Sequence, residues 1–203
     1  NVEVELNGGG GNPVVLADHD EILSNGNFHT PAMAIAFDAL VLAISQVGEM
    51  AAQRVGRLMQ NQYTDLPNGL TSHGHTQIGF GILNMTSETL VKEIRILGMP
   101  ASLHDGSAYN VEDHAPMTPL AVRKAASSID LLRQVAACEL IAAAQAFDLR
   151  APAKSAPIAR ALRDAVRETV APLDGDRSMT HELVAVADRV RAGDFLACLD
   201  ARD

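Results

Sequence analysis

The chain has 203 residues, of which 47% are hydrophobic, enough to bury the core of one or two domains, so a disordered or small-scaffold protein is excluded. Its 16 Lys and Arg against 25 Asp and Glu give a formal net charge of −9, and no cation run marks a nucleic-acid footprint. Only Cys138 and Cys198 carry thiols, and Cys138 sits in an apolar helical pattern where a reduced, packed thiol is expected; the compartment reads as cytoplasmic.

No basic-then-apolar leader opens the chain, and no uninterrupted apolar stretch of about 18 residues suggests a membrane span, so no membrane partner is expected. The first residue is Asn1, and Val2-Glu3-Val4-Glu5-Leu6 reads as the middle of a fold, which predicts an upstream portion that is cleaved, omitted or encoded separately. Residues 1–29 read as loop, with a four-glycine run at Gly8 to Gly11 and a brief strand at Val14-Val15-Leu16. A helix is predicted from Thr30 as N-cap and Pro31 as first residue to about Gln62, because Pro loses no hydrogen bond there. Phe37, Leu40, Val41, Ile44, Val47, Ala51, Val55 and Leu58 recur at three- and four-residue steps and are expected on one buried face. At 1.5 Å per residue such a helix is about 45 Å long, which calls for a long-helix bundle or an oligomer.

Residues 63–76 are rich in Asp, Pro, Asn, Gly and His and read as loop. A second helix is predicted from about Gln77 to Leu97, stopped by Gly98 and Pro100. Residues 101–117 read as loop again. A third long helix begins at Thr118-Pro119 and runs to about Phe147, with Ala125, Ile129, Leu132, Ala136, Leu140 and Ala143 on one stripe. After Pro152 two shorter amphipathic helices, Ser155 to Val170 and Thr180 to Ala192, flank Pro172 and Asp174-Gly175-Asp176 and read as peripheral packing or capping pieces. The expected division is a central helical-bundle part at 1–150 and C-terminal peripheral helices at 151–203.

Most chemistry-bearing motifs are weak. Gly8 to Gly11 lacks the Gly-Lys-Ser/Thr of a phosphate loop and reads as flexible loop. His73-Gly74-His75 has no third metal ligand nearby, and His181-Glu182 lacks a second histidine one turn on, so no metal is expected. Asp18-His19-Asp20 suits a turn, and no Gly-x-Ser-x-Gly elbow supports a hydrolase. Two motifs remain, Ser24-Asn25-Gly26-Asn27-Phe28-His29 and Asn110-Val111-Glu112-Asp113-His114, each shortly before a long apolar helix. A carboxylate held at Glu112 by rigid elements suits proton transfer or capture of a cationic group, and equally a helix cap or salt bridge; Phe28 suits a core plug as well as a site residue.

Together with Glu5-Leu6-Asn7, Asn12-Pro13, Asp38, Gly79-Phe80, Pro100-Ala101-Ser102 and Cys138 through Arg150, these motifs resemble the aromatic amino-acid ammonia-lyases related to histidine ammonia-lyase. The resemblance implies an all-α fold, a long-helix bundle assembled as a homotetramer with active sites built by more than one subunit. It implies elimination of ammonia from an aromatic amino acid (histidine, tyrosine or phenylalanine) to an arylacrylate. It also implies a methylidene-imidazolone (MIO) cofactor formed from an Ala-Ser-Gly tripeptide. No such tripeptide occurs in these residues, so the cofactor, the catalytic tyrosine and the carboxylate-binding arginine are expected from the missing N-terminal segment or a separate chain.

Residue by residue, the resemblance makes Phe28 the phenylalanine packed at the cofactor, with Asn27 and His29 in its motif, and implies that Phe28 and Asn27 bind substrate. It makes Glu112 the catalytic acidic residue near the substrate amino group, and Gly81 and Met85 the lining of the side-chain pocket. Glu112 favours histidine; Val111 for the usual Gln, Gly11 for the usual Asp and the small Gly81 are departures, the last leaving room for a larger aryl group. An aromatic amino-acid 2,3-aminomutase and a non-catalytic helical assembly subunit are the alternatives.

Overall fold

The computed structural model describes residues 2–103, 106–107, 112–114, 116–152 and 154–200. Its elements are α1 (Val2–Asn7), β1 (Val14–Leu16), β2 (Glu21–Leu23), α2 (Pro31–Leu58), α3 (Asn61–Thr64), α4 (Gly81–Leu97), β3 (Gly106–Ser107), β4 (Glu112–His114), α5 (Thr118–Arg150), α6 (Pro157–Arg167) and α7 (Thr180–Ala192), followed by a tight helical turn at Asp194–Asp200. Two minimal antiparallel hairpins, β1 with β2 and β3 with β4, are the only sheets among the described residues, so the fold is all-α as expected.

The Thr-Pro starts hold at both long helices. The Met33 and Ala34 N–H groups donate to Thr30 O, but the Thr30 hydroxyl pairs with Thr118 Oγ1 at 2.6 Å and does not cap its own helix. Each threonine thus opens one helix while its side chain ties the two starts together. Several boundaries differ from the sequence expectation, among them α5, which runs on to Arg150, and α6, which spans only Pro157–Arg167. A helix, α1, occupies the opening predicted as loop. α2 ends at Leu58, before Gln62, because the chain turns through Gln60 into the separate turn of α3. α4 begins at Gly81, four residues after Gln77, because Gly79 holds φ +61° and cannot belong to the helix.

The chain forms two compact units, one of residues 1–43 and 95–128, the other of 44–94 and 129–203. In the first, Ala34, Ala101 and Ala121 form a small close-packed core with Phe37 and Met117 against them. Asp38 is 6% exposed there, and the Ala101 and Ser102 N–H groups donate to its Oδ2 at 2.9 Å each. Its Oδ1 faces Lys124 Nζ at 3.6 Å, while Lys124 also donates to Met99 O. A buried charge is tolerated because it is met by these donors. Burial alone would raise the Asp38 carboxyl, but the Ser102 and Ala101 amides, the Ser102 hydroxyl and the Lys124 charge together hold it below its ordinary value.

The second unit carries the larger core, with Val55, Leu70, Phe80, Ile141, Val166 and Val186 fully buried. Residues 151–200 contribute to that core through Val166, Val170, Leu173, Val186 and Phe195, so α6 and α7 are core-forming here. α5 is buried on more sides than one stripe: Ala137, Cys138, Ile141, Ala142, Ala144 and Ala146 are all covered, whereas Ala143, predicted on the buried stripe, is exposed. Small side chains allow neighbours to approach from several directions. Cys138 is a free thiol at 0% exposure, pushed up to about 12 by desolvation. On α2 the expected face is likewise rotated: Val41, Ile44, Ala51 and Val55 are buried, but Leu40 and Val47 are exposed. By length and composition α2 is apolar enough to cross a membrane, although it contains no unbroken apolar run; a packed core helix meets the same test.

Candidate active site

Asn27 and Phe28 lie in the first unit, on the loop between β2 and α2. The loop is built from amides and carbonyls. Asn25 Nδ2 donates to Gly9 O at 3.1 Å and Gly11 O at 2.9 Å, Asn27 Nδ2 donates to Gly9 O at 3.1 Å, and Asn25 Oδ1 accepts the Asn27 N–H at 3.0 Å. Asn12 Oδ1 accepts the Asn25 N–H at 3.1 Å. The glycine run is therefore neither a phosphate cradle nor a free loop. The Gly9 and Gly11 carbonyls form a collar around two asparagine side chains, and a Cβ at Gly8 would lie 3.2 Å from Val4 O and in ordinary contact with Asn27 Nδ2 at 3.4 Å. Asn27 gives one amide N–H to this collar. Phe28, the next residue, is left 41% exposed, with its ring 4.7 Å from that of His29 at 55°. It is not the core plug that a loop aromatic usually is.

Glu112, Asp113 and His114 form β4, whose Glu112 pairs with Ser107. The side chains of these three residues, and Asn110 and Val111 altogether, lie outside the described residues.

Gly81 and Met85 lie in the second unit, one turn apart on the same face of α4, opposite the buried Leu83, Ser87, Val91 and Ile94. Gly81 is half-buried and Met85 is 61% exposed. A Cβ at Gly81 would meet Ile78 Cγ2 at 2.7 Å, the branch methyl next to the backbone of an exposed isoleucine, which moves only by rotation at χ1. The space at Gly81 is thus bounded by a group whose place follows the Ile78 backbone.

What fixes the start of α4 is a backbone embrace that motif reading missed. Gly69 and Gly79 have φ of +66° and +61°; a Cβ on Gly69 would lie 2.5 Å from Ile78 O, and one on Gly79 2.3 Å from Gly69 O. Only two glycines let these strands of chain touch. The Gly69 N–H donates to Met59 O at 3.0 Å, and Gly69 O accepts the Phe80 N–H at 2.8 Å. Two further groups support it. Asp176 accepts the Ile78 and Gly79 N–H groups, on Oδ2 and Oδ1 respectively, at 2.9 Å each, and its own N–H donates to Gln77 Oε1 at 3.0 Å. Gln145, 3% exposed, donates through Nε2 to Leu70 O (3.3 Å) and Leu173 O (3.1 Å) and accepts from the Leu173 N–H (3.1 Å) and Arg167 Nη2 (3.0 Å). Arg167 is held in turn by Asp148 at 2.7 Å. No local pattern announces these partners, since Asp176 and Gly79 are 97 positions apart.

Residues 1–168 match the family described as aromatic amino acid lyase. The chain belongs to the aromatic amino acid lyase family. It is 40% identical over 198 residues to a histidine ammonia-lyase of Symbiobacterium thermophilum, an alignment covering 97% of this chain and 39% of that protein. The crystal structure of tyrosine aminomutase from Streptomyces globisporus superposes with a TM-score of 0.91 at 30% identity, covering all of this chain and 39% of that one. That of histidine ammonia-lyase from Trypanosoma cruzi does so at 0.86 and 28%, covering 92% and 37%. The chain therefore spans about two fifths of the length of the relatives it matches.

Phe28 sits on the loop entering α2, and Gly81 with Met85 on the first turns of α4. The Ala-Ser-Gly from which the MIO group of this family forms does not occur among these residues, and Phe28 and Met85 are exposed. The His73-Gly74-His75 segment does not bring imidazoles together on a metal. His73 Nε2 lies 3.4 Å from Asp174 Oδ1, and no group of three His, Cys, Asp or Glu gathers among the described residues.

Proposed function

We propose that the protein is part of an ammonia-lyase that converts an aromatic amino acid to an arylacrylate, with histidine the favoured substrate. The observation that carries this reading is the family match over residues 1–168 together with 40% identity to a histidine ammonia-lyase. Elimination removes ammonia from Cα and a proton from Cβ. In this proposal Glu112 acts near the substrate amino group, Phe28 offers its exposed ring as an apolar wall for an electrophilic group brought by another segment, and Gly81 and Met85 line the side-chain pocket. Asn27, anchored by one amide N–H on Gly9, holds Phe28 outward and keeps its remaining amide groups for the substrate. The open faces fit a site completed by further polypeptide, and the proposal includes a cytoplasmic homotetramer as the working assembly. Light scattering on the complete protein checks the stoichiometry.

A second reading, an aromatic amino-acid 2,3-aminomutase, is favoured by the likeness to tyrosine aminomutase. There the ammonia returns to the β-carbon, so the β-amino acid accumulates. Ultraviolet-monitored turnover of His, Tyr and Phe, with chromatography of the products, separates the two. It is run on this chain alone and on the chain joined to the remainder of the family's fold. Urocanate from histidine in the joined sample is the expected result. A β-amino acid would establish the mutase, and a folded assembly without any product would leave a non-catalytic helical subunit. Glu112→Gln in the complete enzyme is expected to lower kcat/KM for histidine by about 10²-fold or more, the scale of a lost general acid–base group; unchanged kinetics remove Glu112 from the site.

A further inference from the structure

We infer that Asp176 is a positioning residue for the substrate side-chain pocket, acting through the backbone of residues 77–79 on the first turn of α4. The inference rests on the placement of Gly81 and Met85 in that pocket. Between the buried Leu70 and Phe80 the chain makes a nine-residue excursion whose only regular piece is the short turn Gly74–Thr76. Its return into α4 has to be set by something. The Gly69–Gly79 embrace fixes one side of that return, and the Asp176 carboxylate fixes the other by accepting two successive amides at 2.9 Å.

The two amides belong to Ile78 and Gly79, three and two residues before Gly81, and Ile78 is the side chain that bounds the space at Gly81. Moving the Ile78–Gly79 peptide therefore moves both the wall beside Gly81 and the helix start that aims Met85. Asp176 is itself placed from the core. Leu173, three residues earlier, is buried and gripped through both its N–H and its carbonyl by Gln145. The relay runs from Gln145 in the core through Leu173 and Asp176 to Ile78, Gly79 and Gly81. Asp176 is on the surface and fills no core space, so its removal leaves the large core cluster untouched. Its role lies in geometry: a charge-assisted pair of bonds to fixed amides is stiffer than solvent contacts to the same groups. An error of about 1 Å in substrate placement is enough to cost on the order of 10²-fold in rate.

The test uses the complete enzyme with L-histidine and L-tyrosine as probes, comparing Asp176→Ala, Asp176→Asn and Asp176→Glu with Met85→Ala. Asp176→Ala is expected to raise KM about tenfold and to lower kcat by up to about tenfold, together up to about 10²-fold in kcat/KM, and to change the histidine-to-tyrosine preference. Asp176→Asn, which keeps one acceptor oxygen, should fall between, and Asp176→Glu should recover part of the loss. Hydrogen exchange of the Ile78 and Gly79 amides should quicken about tenfold or more in Asp176→Ala. Unchanged amide exchange, or faster exchange with unchanged KM and preference, overturns the positioning role. If Met85→Ala shifts the preference while Asp176→Ala does not, this inference alone fails. If neither does, the pocket placement fails and the inference falls with it.

Discussion

Gly79→Ala should be among the most damaging single-methyl additions in this protein. Alanine at φ +61° costs about 1–2 kcal/mol for the left-handed backbone alone. The new Cβ would lie 2.3 Å from Gly69 O and 3.0 Å from Thr71 Cβ, so the Gly69 carbonyl has to withdraw by most of an ångström. Withdrawal breaks the 2.8 Å bond from the Phe80 N–H, which costs about 1–3 kcal/mol when a partner is left unpaired, and it draws on Phe80, itself 1% exposed. The sum is about 2–5 kcal/mol, a large part of the roughly 5–15 kcal/mol that holds a typical domain together. Gly74 supplies an internal control, because it has the same φ of +61° with nothing within 4 Å of its would-be Cβ. Gly74→Ala should therefore show the backbone cost alone, about 1–2 kcal/mol. The assay is urea unfolding of both variants with the slope checked for constancy. If Gly79→Ala lies within about 1 kcal/mol of Gly74→Ala, the close approach of residues 69 and 79 is not what the glycines serve.

Gln145→Leu should cost about 3–5 kcal/mol, because it strands the Leu70 carbonyl, the Leu173 amide and an Arg167 donor in a buried setting; a loss under about 1 kcal/mol in denaturant unfolding would show that water replaces the side chain. Asp38 has its folded carboxyl below the ordinary value, so it contributes stability that is full above the unfolded value near 3.9 and is lost as pH falls through the folded one. Asp38→Asn should accordingly be less stable than the parent at neutral pH by an amount that shrinks only below about pH 4, and a gap that stays constant through acid unfolding contradicts the assignment. With its thiol pushed up to about 12, Cys138 should resist iodoacetamide at pH 8 until the protein unfolds, whereas Cys198, less buried, should label in the native state; peptide mapping by mass spectrometry distinguishes them.

The parts of the fold legible in the sequence are those written locally. Thr30-Pro31 and Thr118-Pro119 announce the starts of α2 and α5, because a proline at the first helical position is a property of the chain itself. The spacing of apolar residues says that these helices have buried faces, yet it misplaces Leu40, Val47 and Ala143, because periodicity cannot tell which side a neighbour will cover. The glycine run reads as slack when taken alone; its purpose emerges only once Asn25 and Asn27 lie inside it.

The candidate site divides in the same way. Its family was legible from ordered motifs, and Phe28, Gly81 and Met85 were picked out by them. Asp176, Gln145 and the pairing of Gly69 with Gly79 carry no motif. Each matters only because folding brings together groups as far as 99 positions apart, and a hydrogen bond or a close backbone contact depends on the final separation in space rather than on any repeat along the chain. The amino-acid order by itself determined the long helices, their apolar character and the family. Tertiary structure decided which faces are covered, why two glycines cannot carry a side chain, and which distant carboxylate and amide hold the start of α4, since those are properties of packing and of partners met across the fold.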